Sequence, residues 1–303
     1  MPLRVLVSGA RGLIGSALLA RLRDGGHETG VLTRHAEGPG EVGWDPARDR
    51  LEARAIEGFD AVVHLAGEPI AQRWTPQRKA LIRDSRVAGT GLLARRLADL
   101  ERPPRVLVSV SAIGFYGDRG VESLDEASPP GTGFLPEVCR AWEEAAGPAS
   151  ARGIRVVHPR LGLVMTPRGG ALARLLPPFR LGLGGPLGDG RAWWSWVAFD
   201  DVIAVLERLL VDEGLAGPIN VVAPGAVTNR EFARILGQVL GRPARLPVPA
   251  LALRALFGEM ADGALLASAR VRPARLEAVG YPFRHPGLEP ALRHLLGRPG
   301  RAA

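Results

Sequence analysis

The sequence predicts an α/β fold: a doubly wound parallel sheet with a smaller C-terminal lobe. Three observations lead there. Short runs that are apolar throughout alternate with stretches of helical periodicity, the pattern of parallel strands covered by helices on both faces. The first apolar run ends in closely spaced glycines that open the first helix. Past about residue 225 the alternation gives way to helices separated by proline-rich turns.

The elements follow in order. RVLVSG (4–9) is the first strand, and LIGSALLARLRDGG (13–26) sets apolar residues at helical spacing before a glycine stop. Further strands are predicted at TGVLTR (29–34), FDAVVHLAG (59–67), PRVLVSVSA (104–112) and IRVVHPRLG (154–162), with helices over 75–100 and 136–151. Residues 200–213 and 217–222 read as one more helix and strand of that sheet. The sheet domain is therefore expected over 1–165, completed by about 198–224. The lobe takes 166–197, whose second half is rich in glycine and tryptophan, together with 225–303.

Composition narrows the class. The net charge of +8 invites nucleic-acid binding, but 38 of the 39 basic residues are arginines spread over the whole chain, without a basic run interleaved with aromatics. No nucleic-acid partner is expected. The longest apolar runs are broken well short of the roughly 18–20 residues of a membrane span, so no membrane partner is expected. The N-terminus enters a strand directly, without a signal-peptide pattern, and Cys139 stands alone, which excludes an internal disulfide framework. A cytoplasmic protein is expected. The six histidines show no paired metal-ligand spacing, so no metal is expected; His64, inside an apolar strand, reads as a satisfied core residue.

SGARGLIG places Gly9, Gly12 and Gly15 between the first strand and the first helix. Glycines there allow a tight turn, close approach of backbone to a pyrophosphate, and close packing of helix on strand, with the helix N-terminus facing the phosphates. The arrangement predicts a Rossmann dinucleotide site, with Gly9, Arg11, Gly12, Leu13, Ile14 and Gly15 as its loop. NAD sites carry an acid at the end of the second strand to bond the ribose 2′-hydroxyl. LTRH puts Thr33 and Arg34 there instead, and Arg34 and Arg11 can both clamp a 2′-phosphate, so NADP(H) is expected over NAD(H).

With GARGLIG, VVHLAG and SAIGFYGD in this order, the chain resembles the extended or atypical short-chain dehydrogenase/reductase superfamily. HLAGEPIAQRWTPQRKALIRDSRVAGTGLL, PFRLGLGGPLGDGRAWWSWVAFDDV and the long segment from NVVAPGAV to FGEMA resemble, more narrowly, its epimerase-family NADP-binding oxidoreductases. These end in a C-terminal domain of unknown function, and the resemblance runs from about residue 3 to 296. It implies a Rossmann domain with a substrate-side lobe, contacts from Thr33 and Arg34 to the 2′-phosphate, and contacts from Leu65, Ala66 and Arg86 to the cofactor. It also implies that backbone of RLGLV, including Arg160, Gly162 and Val164, lines the nicotinamide end.

In that superfamily a tyrosine with a lysine four residues on supplies the catalytic acid, and a serine orients the substrate oxygen. Here Tyr116 and Tyr281 are followed by Gly120 and His285, and the only lysine, Lys79, lies on another helix. Where the pair should open a helix the chain reads FLPEVCRAWEEAA, with Leu135 or Pro136 for tyrosine and Cys139 or Arg140 for lysine. The YxxxK pair is absent. Ser111 and Tyr116 are left as candidate donors to a carbonyl, with Arg140 as a candidate positive charge. The competing reading has Ser111 at a strand end and Tyr116 packed under the lobe.

Glu68, Arg191, Trp193, Trp194 and Trp196 are candidates for the substrate pocket, although tryptophans also pack lobes onto sheets. Asp200 and Asp201 are expected to cap the following helix, and Cys139 to be inert unless exposed at the cofactor mouth. Together these readings predict an NADP(H)-dependent oxidoreductase of an unknown small molecule, monomeric or homodimeric. The alternatives are a nucleotide-sugar-type epimerase or dehydratase, and a non-catalytic NADPH-binding regulator of cell or organelle division.

Overall fold

A computed structural model describes residues 2–298; Met1 and residues 299–303, the outer ends of the two expected domains, lie outside the described residues. The chain opens with β1 (Arg4–Ser8), α1 (Leu13–Asp24), β2 (Glu28–Thr33), β3 (Glu41–Asp45) and β4 (Arg50–Leu51). It crosses to the other side of β1 with β5 (Ala61–His64), α2 (Pro76–Ala98), β6 (Val106–Ser109), β7 (Ser111–Ala112), β8 (Ser123–Leu124), α3 (Phe134–Glu144), α4 (Gly147–Ala151) and β9 (Arg155–Leu161). The lobe begins with β10 (Leu163–Met165), α5 (Gly170–Arg180), β11 (Trp193–Trp194) and β12 (Trp196–Ala198). The chain then returns through α6 (Phe199–Val211) and β13 (Gly217–Val221). It ends with β14 (Val227–Thr228), α7 (Asn229–Leu240), α8 (Ala250–Phe257), β15 (Arg270–Val271), α9 (Ala274–Ala278) and α10 (Leu288–Leu295).

The main sheet runs β13-β9-β6-β5-β1-β2-β3-β4, with β7 also on β9. Its pairs are parallel except β3 with β4. This is the expected doubly wound sheet, and its order reverses direction between β1 and β5. Side chains of β1 alternate between the two faces. Val5 and Val7 pack under α1 and α6 with Leu18, Leu22 and Leu206, while Leu6 packs under α2 with Leu92, Leu93 and Leu97. The lobe has its own core of Leu172, Phe179, Trp194, Trp196, Phe232 and Leu292.

The passage between the two cores is a single residue. Gly162 N–H still donates to Val221 in the main sheet, whereas Leu163 N–H donates to Ser195 in the lobe. A Cβ on Gly162 would sit 2.6 Å from a methyl of Val222 and 2.7 Å from the Ser195 carbonyl, so only glycine lets the strand change sheets there. Beyond it β10 pairs with β12. Two details differ from the expected elements. β3 and β4 were not expected, because EVGWD is half-exposed and broken by Gly43. The single helix expected over 136–151 is two, since Pro148 has no N–H to continue α3 and opens α4 instead.

Candidate cofactor cleft and the buried network beside it

Open α/β sheets bind ligands outside the carboxyl ends of their strands, where the strand order reverses. Here that point lies between Ser8 of β1 and His64 of β5. The Ser8 hydroxyl oxygen accepts from the amides of Leu65 (3.1 Å) and Ala66 (3.3 Å) and lies 2.7 Å from His64 Nδ1. With two N–H groups already donating to it, the hydroxyl gives its own proton to Nδ1. The ring proton of His64 therefore sits on Nε2, which is buried, has no hydrogen-bond partner among the described residues and lies in a ring meeting Trp44 edge-to-face. Burial pushes the His64 pKa down to about 4. His64 is thus a core residue, as expected, but satisfied at one nitrogen only.

The glycines form a cradle that a Cβ would fill. Gly9 has φ +67°, and a Cβ there would lie 2.8 Å from the Leu65 carbonyl carbon; one on Gly15 would lie 2.3 Å from the Gly9 oxygen. Gly12 caps α1 without a side chain, and the first helical bond runs from Ser16 N–H to Gly12. The amides of Leu13, Ile14 and Gly15 are left pointing out of the helix N-terminus, as an anion would need. At the end of β2, Thr33 is half-buried and Arg34 is exposed, with no ion-pair partner among the described residues. Arg11 is also exposed, but stands 3.8 Å from Glu41, a partner that β3 brings in.

Arg86 reaches across from α2. Its Nη1 donates to the carbonyls of Glu68 (2.9 Å) and Ile82 (3.0 Å), its plane covers Trp142, and burial lowers its pKa. It shapes the loop that carries Leu65 and Ala66. Glu68 is half-buried on that loop, its amide donating to Ser85.

The two expected catalytic hydroxyls are placed differently from expectation. Tyr116 is fully buried: its hydroxyl donates to Asn220 (2.7 Å) and accepts from Arg160 (3.0 Å). Burial, ahead of these contacts, raises its pKa. The expectation that Tyr116 offers a proton to substrate is therefore corrected: both its hydrogen-bonding directions are spent in the interior. Ser111 is 1% exposed and donates to Glu143 (2.7 Å). Arg160 is itself buried, bidentate to Glu143 at 2.8 and 2.8 Å and stacked 3.5 Å over Phe115. Burial opposes its charge, but the Glu143 hydrogen bonds hold its pKa above the ordinary arginine value.

Neighbouring positions complete the picture. Arg160 and Gly162, expected along the nicotinamide end, are a network member and the strand-switch point, and Val164 is half-buried beside them. The buried guanidinium near the missing lysine is Arg160 and not Arg140, which is exposed and 3.8 Å from Glu144. Cys139 is buried, its thiol pushed up to about 12 by burial. Glu143 was missed by sequence reading, although it lies one helical turn beyond Cys139.

The tryptophans divide. Trp194 and Trp196 belong to the lobe core, with Trp196 Nε1 donating to Gly225, which corrects their pocket assignment. Trp193 is half-buried with Arg270 stacked 4.4 Å over it, and Arg191 is exposed near Asp189. Asp200 and Asp201 occupy the first turn of α6 but do not cap it. Asp201 is fully buried and accepts from the amides of Arg284 and His285, while Asp200 meets His285 and His294. A surface hollow of about 340 Å³, lined by Arg234, Gln238, Arg242 and Arg245 among others, involves none of the cleft residues.

Comparison with known proteins agrees with this architecture. Residues 5–223 match the model of the NAD dependent epimerase/dehydratase family, and residues 248–295 match a domain of unknown function. An epimerase family protein of Mycobacterium bovis is 40% identical over 298 residues, 98% of each chain. The crystal structure of a human epimerase family protein with NADPH superposes with a TM-score of 0.88 at 36% identity, covering 97% of this chain and 99% of that one. A Corynebacterium glutamicum structure described as a nucleoside-diphosphate sugar epimerase gives 0.82 at 40% identity, covering 98% of this chain and 59% of that one.

Proposed function

This chain belongs to the NAD dependent epimerase/dehydratase family, and on that premise we propose that it is an NADP(H)-dependent oxidoreductase of a small molecule. The observation that carries the cofactor choice is the end of β2. Thr33 and Arg34, the latter without an ion-pair partner among the described residues, stand there in place of the acid that would bond a ribose 2′-hydroxyl. The human relative, whose crystal structure holds NADPH, supports the same choice. The amides of Leu13, Ile14 and Gly15 would hold the pyrophosphate, Arg34 the 2′-phosphate, and Leu65 and Ala66 the passage between them. Bound there, the cofactor supplies or takes up a hydride. The chain's own part is positional: Tyr116 holds Arg160, Arg160 holds Glu143, and Glu143 fixes the hydroxyl of Ser111. An epimerase or dehydratase cycle needs a proton moved in both directions, which the interior position of Tyr116 does not favour. No described helix is long and apolar enough to cross a membrane, and a cytoplasmic location is part of this proposal.

The same buried network favours a second reading, a cofactor-binding protein without turnover. A panel of carbonyl compounds with NADPH separates the two. The oxidoreductase reading expects a member to be reduced, and the reduction to be lost in Gly15→Ala, whose methyl would crowd the Gly9 carbonyl in the pyrophosphate cradle. Tight NADPH binding with no member reduced would support the non-catalytic reading.

A further inference from the structure

Three side chains far apart in sequence meet where the end of α10 approaches the first turn of α6. Asp200 lies in the first turn of α6, His285 in the loop before α10, and His294 in the last turn of α10. Their donor atoms all lie within 4.8 Å of one another. His294 Nε2 is 2.7 Å from Asp200 Oδ2, and His285 Nε2 is 4.0 Å from the same oxygen. The two imidazoles stack with centroids 4.5 Å apart at 27°, so their ring nitrogens are carried toward one carboxylate.

We propose that Asp200, His285 and His294 form a binding site for a divalent transition-metal ion of the zinc type, which ties α10 to α6. The donor set is two imidazoles and a carboxylate, the mixture that zinc takes with a fourth position left to water. Metal–ligand bonds of about 2.0–2.2 Å at tetrahedral angles require donors separated by roughly 3.4 Å. The separations of 2.7 and 4.0 Å bracket that value, so rotamer adjustments of under an ångström or so complete the site. His285 is held in advance: its backbone amide is fixed by the buried Asp201 carboxylate, and its side chain is only 16% exposed. Its Nε2 makes no hydrogen bond among the described residues, since the Asp200 oxygen is too far for one. A hydrogen bond from His294 accounts for one of the two nitrogens; a metal ion accounts for both.

The consequence is mechanical. Residues 284–295 are joined to α6 by the two Asp201 contacts and by this cluster, and α10 packs in the lobe core through Leu288 and Leu292. A bound ion would fasten the lobe's last helix to the sheet domain. It would also make that junction sensitive to chelators.

The test is calorimetric titration of the untagged, EDTA-treated chain with Zn²⁺, repeated with Co²⁺ to read tetrahedral coordination from its visible spectrum. The expected result is one ion per chain at micromolar affinity and a melting temperature raised by about 5 °C at saturation. His294→Ala, at an exposed position, and Asp200→Asn should each weaken binding at least tenfold while leaving the circular dichroism spectrum unchanged. No binding, or undiminished affinity in both folded variants, would overturn the proposal.

Discussion

Tyr116 and His64 show what single residues do beside this cleft. Tyr116→Phe deletes a hydroxyl that satisfies both Asn220 and Arg160, leaving a buried acceptor and a buried donor short of one partner. Losing it should cost about 1–3 kcal/mol in urea unfolding while leaving NADPH affinity within about twofold. A large loss of turnover without loss of stability would instead return Tyr116 to the catalytic role. His64 makes stability depend on pH. Its folded pKa of about 4 lies below the ordinary 6.5, so between these values the unfolded chain binds the extra proton. The contribution of the neutral ring is thus fully present above pH 6.5 and disappears as pH falls toward 4, a loss of about 3 kcal/mol. Unfolding free energies across that window should fall more steeply for the wild type than for His64→Asn; parallel curves would show that His64 is not the group responsible. Cys139, with its thiol pushed up to about 12, should resist alkylation at neutral pH until the chain is unfolded.

Among elements, the glycine turn into α1 carries the cofactor reading. Gly15→Ala would place a methyl carbon 2.3 Å from the Gly9 carbonyl, so α1 must move away from β1 or the turn must open. NADPH affinity should fall at least 30-fold by calorimetry, and an unchanged affinity would show that the turn does not hold the pyrophosphate. This element was legible in sequence because a tight turn admits only glycines, and their order after an apolar run is distinctive. The buried strands β1, β5 and β6 were legible for a related reason: covered on both faces, they are apolar over most of their length. Strand β3, between β2 and the two-residue β4, was not, because it is half-exposed and its EVGWD carries charges and a glycine. Glu143 escaped notice in α3 because its significance lies in Arg160 and Ser111, which reach it from separate strands.

At the scale of the whole molecule, two cores meet along a strand that changes sheets at Gly162, and the return through α6 and β13 locks the lobe beside the cleft. The alternation of elements predicts a sheet domain followed by a smaller lobe. It could not reveal that Asp200, His285 and His294 converge, since 85 and more residues separate the first from the others and only the folded return of α10 brings them together. Nor could the run of tryptophans tell core from pocket: Trp194 and Trp196 fill the lobe, and the sequence carries the same letters for either role. The central claim remains the NADP(H) site at the β1–β5 crossing. Calorimetric titration with NADPH and NADH, for the wild type and Arg34→Ala, tests it most directly. NADPH should bind at least tenfold more tightly than NADH, a margin of about 1.4 kcal/mol that one charge-assisted phosphate contact can supply, and Arg34→Ala should remove most of it while leaving NADH unchanged. Equal affinities, or binding of neither nucleotide, would contradict the account.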